Sequence, residues 1–222
     1  LTVKRLYDEN TLGKIFRIES RVSGSRGIPG DWRQRKAQGG GMILDWGIHI
    51  LDQALMMFDD KKLDSVYRQV THITNDEVDD GFVATLNYKD DSAYVISVGT
   101  NNFIDYPRWH VQGINGSAIC EWDLSGKVVM VSDWENKDAV PVRTGVGLTK
   151  TMAPRTDDSI QAFPLPYVED KGFSGEHTLY NNICDVIEGK AEPIVTHAQQ
   201  RRLIKVVEAM FESAEKNIVV KF

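Results

Sequence analysis

Between residues 64 and 132 the chain carries six segments rich in Val, Ile, Tyr and Trp: 64–72, 81–88, 92–100, 108–114, 117–122 and 127–132. Turn chemistry separates them, with Lys89-Asp90-Asp91-Ser92 and Asp123-Leu124-Ser125-Gly126 as hairpin turns. Linked strands this close must run antiparallel, because a parallel crossover takes a dozen residues or more. A large, mostly antiparallel sheet is therefore the centre of any fold available to this sequence.

The flanks are helical. Val3, Leu6 and Tyr7 stand at helical spacing, and Asn10-Thr11-Leu12-Gly13 reads as a helix stop before a strand over 15–23. Gly39-Gly40-Gly41 leads into a helix of about 16 residues ending near Phe58, with Ile48, Leu51 and Leu55 on one stripe. Residues 144–172 show no period and read as a long loop. After Ser174 comes a helix with an apolar face of Leu179, Ile183, Val186 and Ile187, closed by Gly189. Thr196-His197-Ala198-Gln199 fits a capping box that opens a helix buried on Leu203, Val206, Val207, Met210 and Phe211. A short strand over 217–222 follows. The whole reads as one α+β domain, residues 1–222, with helices on one face of the sheet.

Composition narrows the partners. The 222 residues hold 26 Lys+Arg against 32 Asp+Glu, a net charge of −6. That balance argues against nucleic acid, whose phosphates demand clustered Lys and Arg. Apolar runs are only a few residues long, so no membrane partner is expected either. Cys120 and Cys184 lack metal or disulfide spacing and read as small buried hydrophobes of a cytoplasmic protein. The chain opens on Leu1-Thr2-Val3, without Met and already inside an amphipathic pattern, which reads as a segment of a longer protein.

Chemistry concentrates in Gly39-Gly40-Gly41-Met42-Ile43-Leu44-Asp45-Trp46-Gly47-Ile48-His49-Ile50-Leu51-Asp52. On a helix Asp45, His49 and Asp52 share one stripe. An imidazole beside carboxylates is what general acid–base catalysis needs, since the anion orients the ring and stabilises its protonated form. The same residues also suit a structural role, with Asp45 as an N-cap and His49 a half-buried ring. Arg33 beside Trp32 stands as a candidate substrate contact, as do Arg21 at the end of the first strand and Tyr106 in the cluster with Arg108 and Trp109.

This glycine-led Asp-x-x-x-His-x-x-Asp stretch resembles the signature of the glucose-fructose oxidoreductase / inositol dehydrogenase / rhizopine-catabolism (Gfo/Idh/MocA) family. Gly13-Lys14-Ile15, Trp32-Arg33, Val111-Gln112-Gly113-Ile114-Asn115-Gly116-Ser117 and Ala209-x-x-x-Ser213 are similar to family members too. The resemblance implies the C-terminal, substrate-binding and oligomerising domain of an enzyme using NAD or NADP. It implies hydride transfer between a sugar, inositol or related polyol and the nicotinamide, with His49 as proton acceptor. Asp45 would orient His49 or bind a neighbouring hydroxyl, and Arg33, Tyr106, Arg21 and Asp52 would contact substrate. A sensor or corepressor relative, binding without chemistry, is the alternative it leaves.

The family's dinucleotide-binding glycine turn and its Glu-Lys-Pro motif have no match here. Gly145-Val146-Gly147-Leu148-Thr149-Lys150 begins like GxGxxG, but Lys150 stands where the third glycine belongs. The resemblance therefore implies that the cofactor is held mainly by an N-terminal Rossmann domain outside these residues, and that these residues alone are inactive. Strand 92–100 puts Tyr94, Ile96 and Val98 on one side and Ala93, Val95 and Ser97 on the other, while strand 127–132 is apolar on both. A face this apolar predicts a homodimer or homotetramer joined sheet to sheet, unless loop 144–172 covers it.

Overall fold

The computed structural model describes residues 2–59, 61–132, 134–135, 140–145, 147, 149, 152–166 and 176–222, with side chains described from 178 onward in the last stretch. Helix α1 (Thr2–Asp8) leads through the left-handed residues Asn10 and Gly13 into β1 (Ile15–Ser23). Two single turns at Trp32–Gln34 and Lys36–Gln38 precede a π-helical turn, Ile43–Gly47, that runs straight into α2 (Ile48–Met57). Then come β2 (Leu63–Thr71), β3 (Gly81–Tyr88), β4 (Ala93–Gly99), β5 (Trp109–Gly113), β6 (Gly116–Cys120) and β7 (Gly126–Met130). The chain continues with β8 (Gln161–Pro164), α3 (Glu176–Ile187), α4 (His197–Lys216) and β9 (Val220–Lys221).

These strands form one sheet in the order β8-β7-β6-β5-β1-β4-β3-β2-β9. Every pairing is antiparallel except β1 with β4, because β1 slots between the consecutive strands β4 and β5. The α+β expectation holds, with one parallel pair at the centre of the sheet.

Alternation decides which side chains meet the helices. Ile18, Val22, Phe82, Ala84, Leu86, Tyr94, Ile96 and Val98 are buried on one face. Helix α2 lays Ile50, Leu51, Ala54 and Leu55 on that face, and α4 adds Leu203, Val206, Val207 and Met210. Each such side chain stabilises by roughly 1.5–3 kcal/mol on burial. The α4 capping box forms as expected: Thr196 Oγ1 accepts the Gln199 amide at 3.2 Å, and the Thr196 amide donates to Gln199 Oε1 at 2.9 Å. Farther along α4, Ser213 Oγ accepts the Arg68 amide of β2 at 2.9 Å and donates to Ile218 O at 2.6 Å, which ties helix, strand and tail together.

Several expectations need correction. Residues 161–164 are not loop but β8, paired with β7 and extending the sheet edge. Four residues are too short to show a period, and Pro164 sits where an edge strand tolerates it. The helix after Ser174 forms, but its stripe is not buried: Leu179, Ile183 and Ile187 are exposed and Val186 is half-buried, while Cys184 is exposed too. Cys120 is buried as expected. Finally, the open face of the sheet is mixed rather than apolar. Val83, Val95, Ile119 and Val129 share it with Arg17, Glu19, Arg21, Gln69 and Lys127.

Candidate active site

The glycine-led motif folds into the π turn for reasons seated elsewhere. Gly41 has φ +103, a value L side chains rarely adopt, and a Cβ there would stand 2.6 Å from Asp79 Oδ1. Asp79 holds the turn's start, its main-chain oxygen accepting the Met42 amide at 3.0 Å and its Oδ2 the Ile43 amide at 3.1 Å. The Gly47 amide then reaches back to Met42 O at 2.7 Å, an i to i−5 bond that widens the helix. Gly47 is needed because any Cβ would sit 2.9 Å from the Phe82 ring.

Asp79 is itself buried, paired with buried Arg68 at 2.9 Å. The Arg68 guanidinium lies 5.1 Å from the centroids of both Phe82 and Phe211. Burial pushes the Asp79 carboxyl up and the Arg68 guanidinium down, and their mutual attraction opposes both shifts.

Asp45 lies inside the π turn, not at an N-cap: its amide donates to Gly41 O at 3.2 Å. Its carboxylate is held by Arg33, with Nε 2.8 Å from Oδ2. Arg33 also donates to Asp31 Oδ2 at 2.8 Å and stacks 4.6 Å from the Trp32 ring. The bond to Asp45 holds the Arg33 pKa above its ordinary value.

His49 is the second residue of α2 and is exposed. Its ring meets Trp46 edge-on, with centroids 6.4 Å apart. Asp52 lies one turn on. Partial burial raises its pKa, and the charges of Arg202 and His49 oppose that shift. The structure thus brings together Arg33 and Asp45, and separately His49 and Asp52.

Arg21 and Tyr106 also meet, but elsewhere. Arg21 projects from the open face of β1, paired with Glu19, and stacks 5.5 Å from the exposed Tyr106 ring.

A cleft of about 620 Å³ opens at the carboxyl ends of the parallel pair β1 and β4. Asp45 and Trp46 of the π turn, Arg26, Asp105 and Trp122 line it together with the strand ends Val22, Ser23, Val98 and Gly99. His49, Arg33, Arg21, Tyr106 and Asp52 lie outside that lining, and His49 adjoins it through Trp46. Carboxyl ends of adjacent parallel strands are where open sheets hold ligands. Sequence reasoning missed Trp46, Arg26, Asp105 and Trp122. Trp46 alone had a signal, an aromatic within the His49 motif that no helical stripe needs.

Gly147 is left-handed at φ +78 with open space around it, near the lone bridge between Val142 and Arg155. Among the described residues no glycine turn leads from a strand into a helix as a dinucleotide cradle requires. Nor does any described helix have the length and apolarity to cross a membrane.

A family model described as the GFO/IDH/MocA C-terminal domain matches residues 1–119. The chain belongs to this family, whose structural neighbours are oxidoreductases and NAD-binding proteins. It is similar to an NAD-binding protein from Listeria innocua, at 41% identity and a TM-score of 0.88, over 100% of this chain and 63% of that one. An oxidoreductase from Bacillus cereus shares the fold at 19% identity and a TM-score of 0.71, over 100% of this chain and 61% of that one. This chain therefore spans under two thirds of the length of these relatives. Among curated proteins, none matched.

Proposed function

We propose that this chain is the substrate domain of an NAD(P)-dependent oxidoreductase that moves a hydride between a sugar, inositol or related polyol and the nicotinamide. The observation that carries this reading is an exposed His49 set edge-on against Trp46 of the π turn, whose Asp45 and Trp46 line a cleft that His49 itself only adjoins. The cleft offers two exposed indoles, Trp46 and Trp122, beside the carboxylates of Asp45 and Asp105. Flat apolar faces next to hydrogen-bond acceptors suit a polyol, which has C–H faces and hydroxyl donors. The dinucleotide is assigned to a domain outside the described residues.

What these residues do is the proton half of the reaction. His49 takes the proton of the reacting hydroxyl through a ring nitrogen, and the return step gives it back. Asp45, held in place by Arg33, accepts a hydrogen bond from a neighbouring hydroxyl and fixes the substrate's orientation. Arg33 acts through Asp45 and is a positioning residue. On the same footing, the open face of the sheet is proposed as a homodimer or homotetramer interface.

The test is His49→Ala in the protein complete with its dinucleotide-binding domain. Turnover should fall by about 10²–10⁴, the range a general base contributes, while NAD(H) binding stays unchanged. Normal turnover in that variant overturns the assignment. Absence of turnover in the unmutated protein across polyols, with NAD(H) still bound, would favour a sensor.

A further inference from the structure

A second pocket lies at the far end of α2. Phe58 stands nine residues after His49, so at 1.5 Å per residue it is about 13 Å along the helix from the proposed proton acceptor. There the end of α2, the first turns of α4, β2, β3 and Phe222 enclose about 290 Å³. The inner wall is apolar and aromatic, built of Phe58, Leu63, Tyr88 and Phe222. Four cations surround it: Lys61, Arg201, Arg202 and Lys205.

Two of those cations are spoken for. Lys61 pairs with Asp90, and Arg202 pairs with Asp59 at 2.7 Å while donating to Leu55 O at 3.0 Å. Arg201 and Lys205 have no carboxylate partner among the described residues, and Lys205 rests 5.5 Å from the Phe222 ring. The pocket lining therefore holds four cations and no carboxylate; Asp90 answers Lys61, and Asp59 and Asp52 answer Arg202, which leaves Arg201 and Lys205.

Two residues that line it also carry buried polar atoms without a partner among the described residues. Tyr88 is only 4% exposed, yet among the described residues its hydroxyl has no hydrogen-bond partner, and neither has the buried Nε of Arg202. Buried donors without acceptors are rare in folded proteins and call for an explanation. Burial pushes the Tyr88 ionisation well above its usual value, so at neutral pH the hydroxyl keeps its proton and can donate. Guanidinium groups can only donate. What is missing is an acceptor, and a negative one.

We propose that this pocket is a binding site for a small organic oxyanion, an aryl or branched aliphatic carboxylate or phosphate ester. Its apolar body packs on Phe58, Leu63 and Phe222, and its oxyanion accepts from Tyr88 and Arg202 under the field of Arg201 and Lys205. A bare inorganic ion would leave the aromatic wall wet, whereas the volume suits a single-ring ligand. This proposal is independent of the hydride-transfer reading, since none of its residues belongs to the cleft beside Asp45.

Calorimetric titration of the 222-residue chain at low salt tests it, with benzoate, phenyl phosphate and neutral benzamide as probes. Saturable binding of one or both anions, at least about tenfold tighter than benzamide, is expected, and which anion binds identifies the oxyanion class. Tyr88→Phe keeps the ring and the fold, and should weaken the anion about tenfold without lowering the melting temperature of the free chain. The double variant Arg201→Gln/Lys205→Gln should weaken it further and flatten its salt dependence. The proposal falls if neither anion binds up to millimolar concentration, if benzamide binds as well, or if both variants bind like the parent.

Discussion

Arg33 Nε donates to Asp45 Oδ2 across 2.8 Å, tying the loop after β1 to the π turn ahead of α2. Twelve residues separate the partners, and Asp31 steadies Arg33 from behind. Both side chains are partly open to solvent, so the pair adds no more than about 1 kcal/mol to stability. Its contribution is to geometry. If the proposed function holds, Arg33→Met in the protein complete with its dinucleotide-binding domain should leave the melting temperature nearly unchanged yet raise KM about tenfold, because Asp45 then swings freely. Arg33→Lys keeps the charge without the rigid fork and should fall between the two. Steady-state kinetics beside a melting curve check this, and an unchanged KM in Arg33→Met would remove the positioning role.

Arg68 and Asp79 make the opposite kind of pair. Both are buried, and Asp79 also holds the Ile43 amide. Arg68→Met leaves a buried carboxylate without its cation and should cost about 3–5 kcal/mol in urea denaturation at neutral pH. The pH dependence follows from Asp79, whose carboxyl burial already pushes up. Losing Arg68 raises it further, so the folded variant favours the protonated form. The deficit should therefore be small below about pH 4, where the unfolded carboxyl is protonated too, and grow as pH rises through the folded value. A deficit that stays constant with pH would show that lost packing, not the stranded charge, is the cause.

Sequence showed where the strands lie and hid what joins the site. Residues 81–88 form β3 as read, and the other five segments of the central block hold strands within two residues of each expected end, because period-2 alternation was imposed by a single helix-covered face. The α4 start was equally plain, since a capping box is a local device complete within four residues. The π turn had no such local mark. It exists because Asp79, more than thirty residues on, grips its first amides and because Phe82 crowds Gly47. For the same reason the stripe reading joined Asp45 to His49, whereas a loop arginine holds Asp45. The insertion of β1 between β4 and β5 is likewise a long-range choice, and it is what places a cleft at parallel strand ends.

Asp80 gives an acid limb to stability. Burial raises its pKa, but hydrogen bonds from the Thr74 amide, Thr71 Oγ1 at 2.9 Å and Thr74 Oγ1 outweigh that and leave it below the usual range. A carboxyl depressed on folding stabilises above its unfolded pKa of about 3.9, and that stability is lost as pH falls through the folded value. Asp80→Asn should therefore cost about 1–3 kcal/mol at pH 7, and the gap between parent and variant should begin to narrow below about pH 4 and close only once pH has fallen below the folded value. Urea midpoints at pH 7, 5 and 3.5 measure it. A gap of the same size at pH 3.5 as at pH 7, with no narrowing at all, would place the loss in shape rather than charge.

The open face of the sheet carries the last prediction. Val83 is 46% exposed at its middle, with Thr85, Val95 and Tyr67 half-buried around it and Arg17, Glu19 and Arg21 to one side. The described part of the segment after β7 extends the sheet edge through β8. Arg17 and Arg21 both pair with Glu19 beside the apolar strip, and a strip flanked by both signs of charge suits a two-fold interface, where the same patch faces itself. The expected particle in sedimentation at tens of micromolar is therefore a dimer or tetramer. Val83→Asp should shift it toward monomer, because two carboxylates would face each other across the axis without water. The variant should keep its melting cooperativity, since Val83 packs on no helix. A parent that sediments strictly as a monomer at that concentration would leave the face to water and remove the interface.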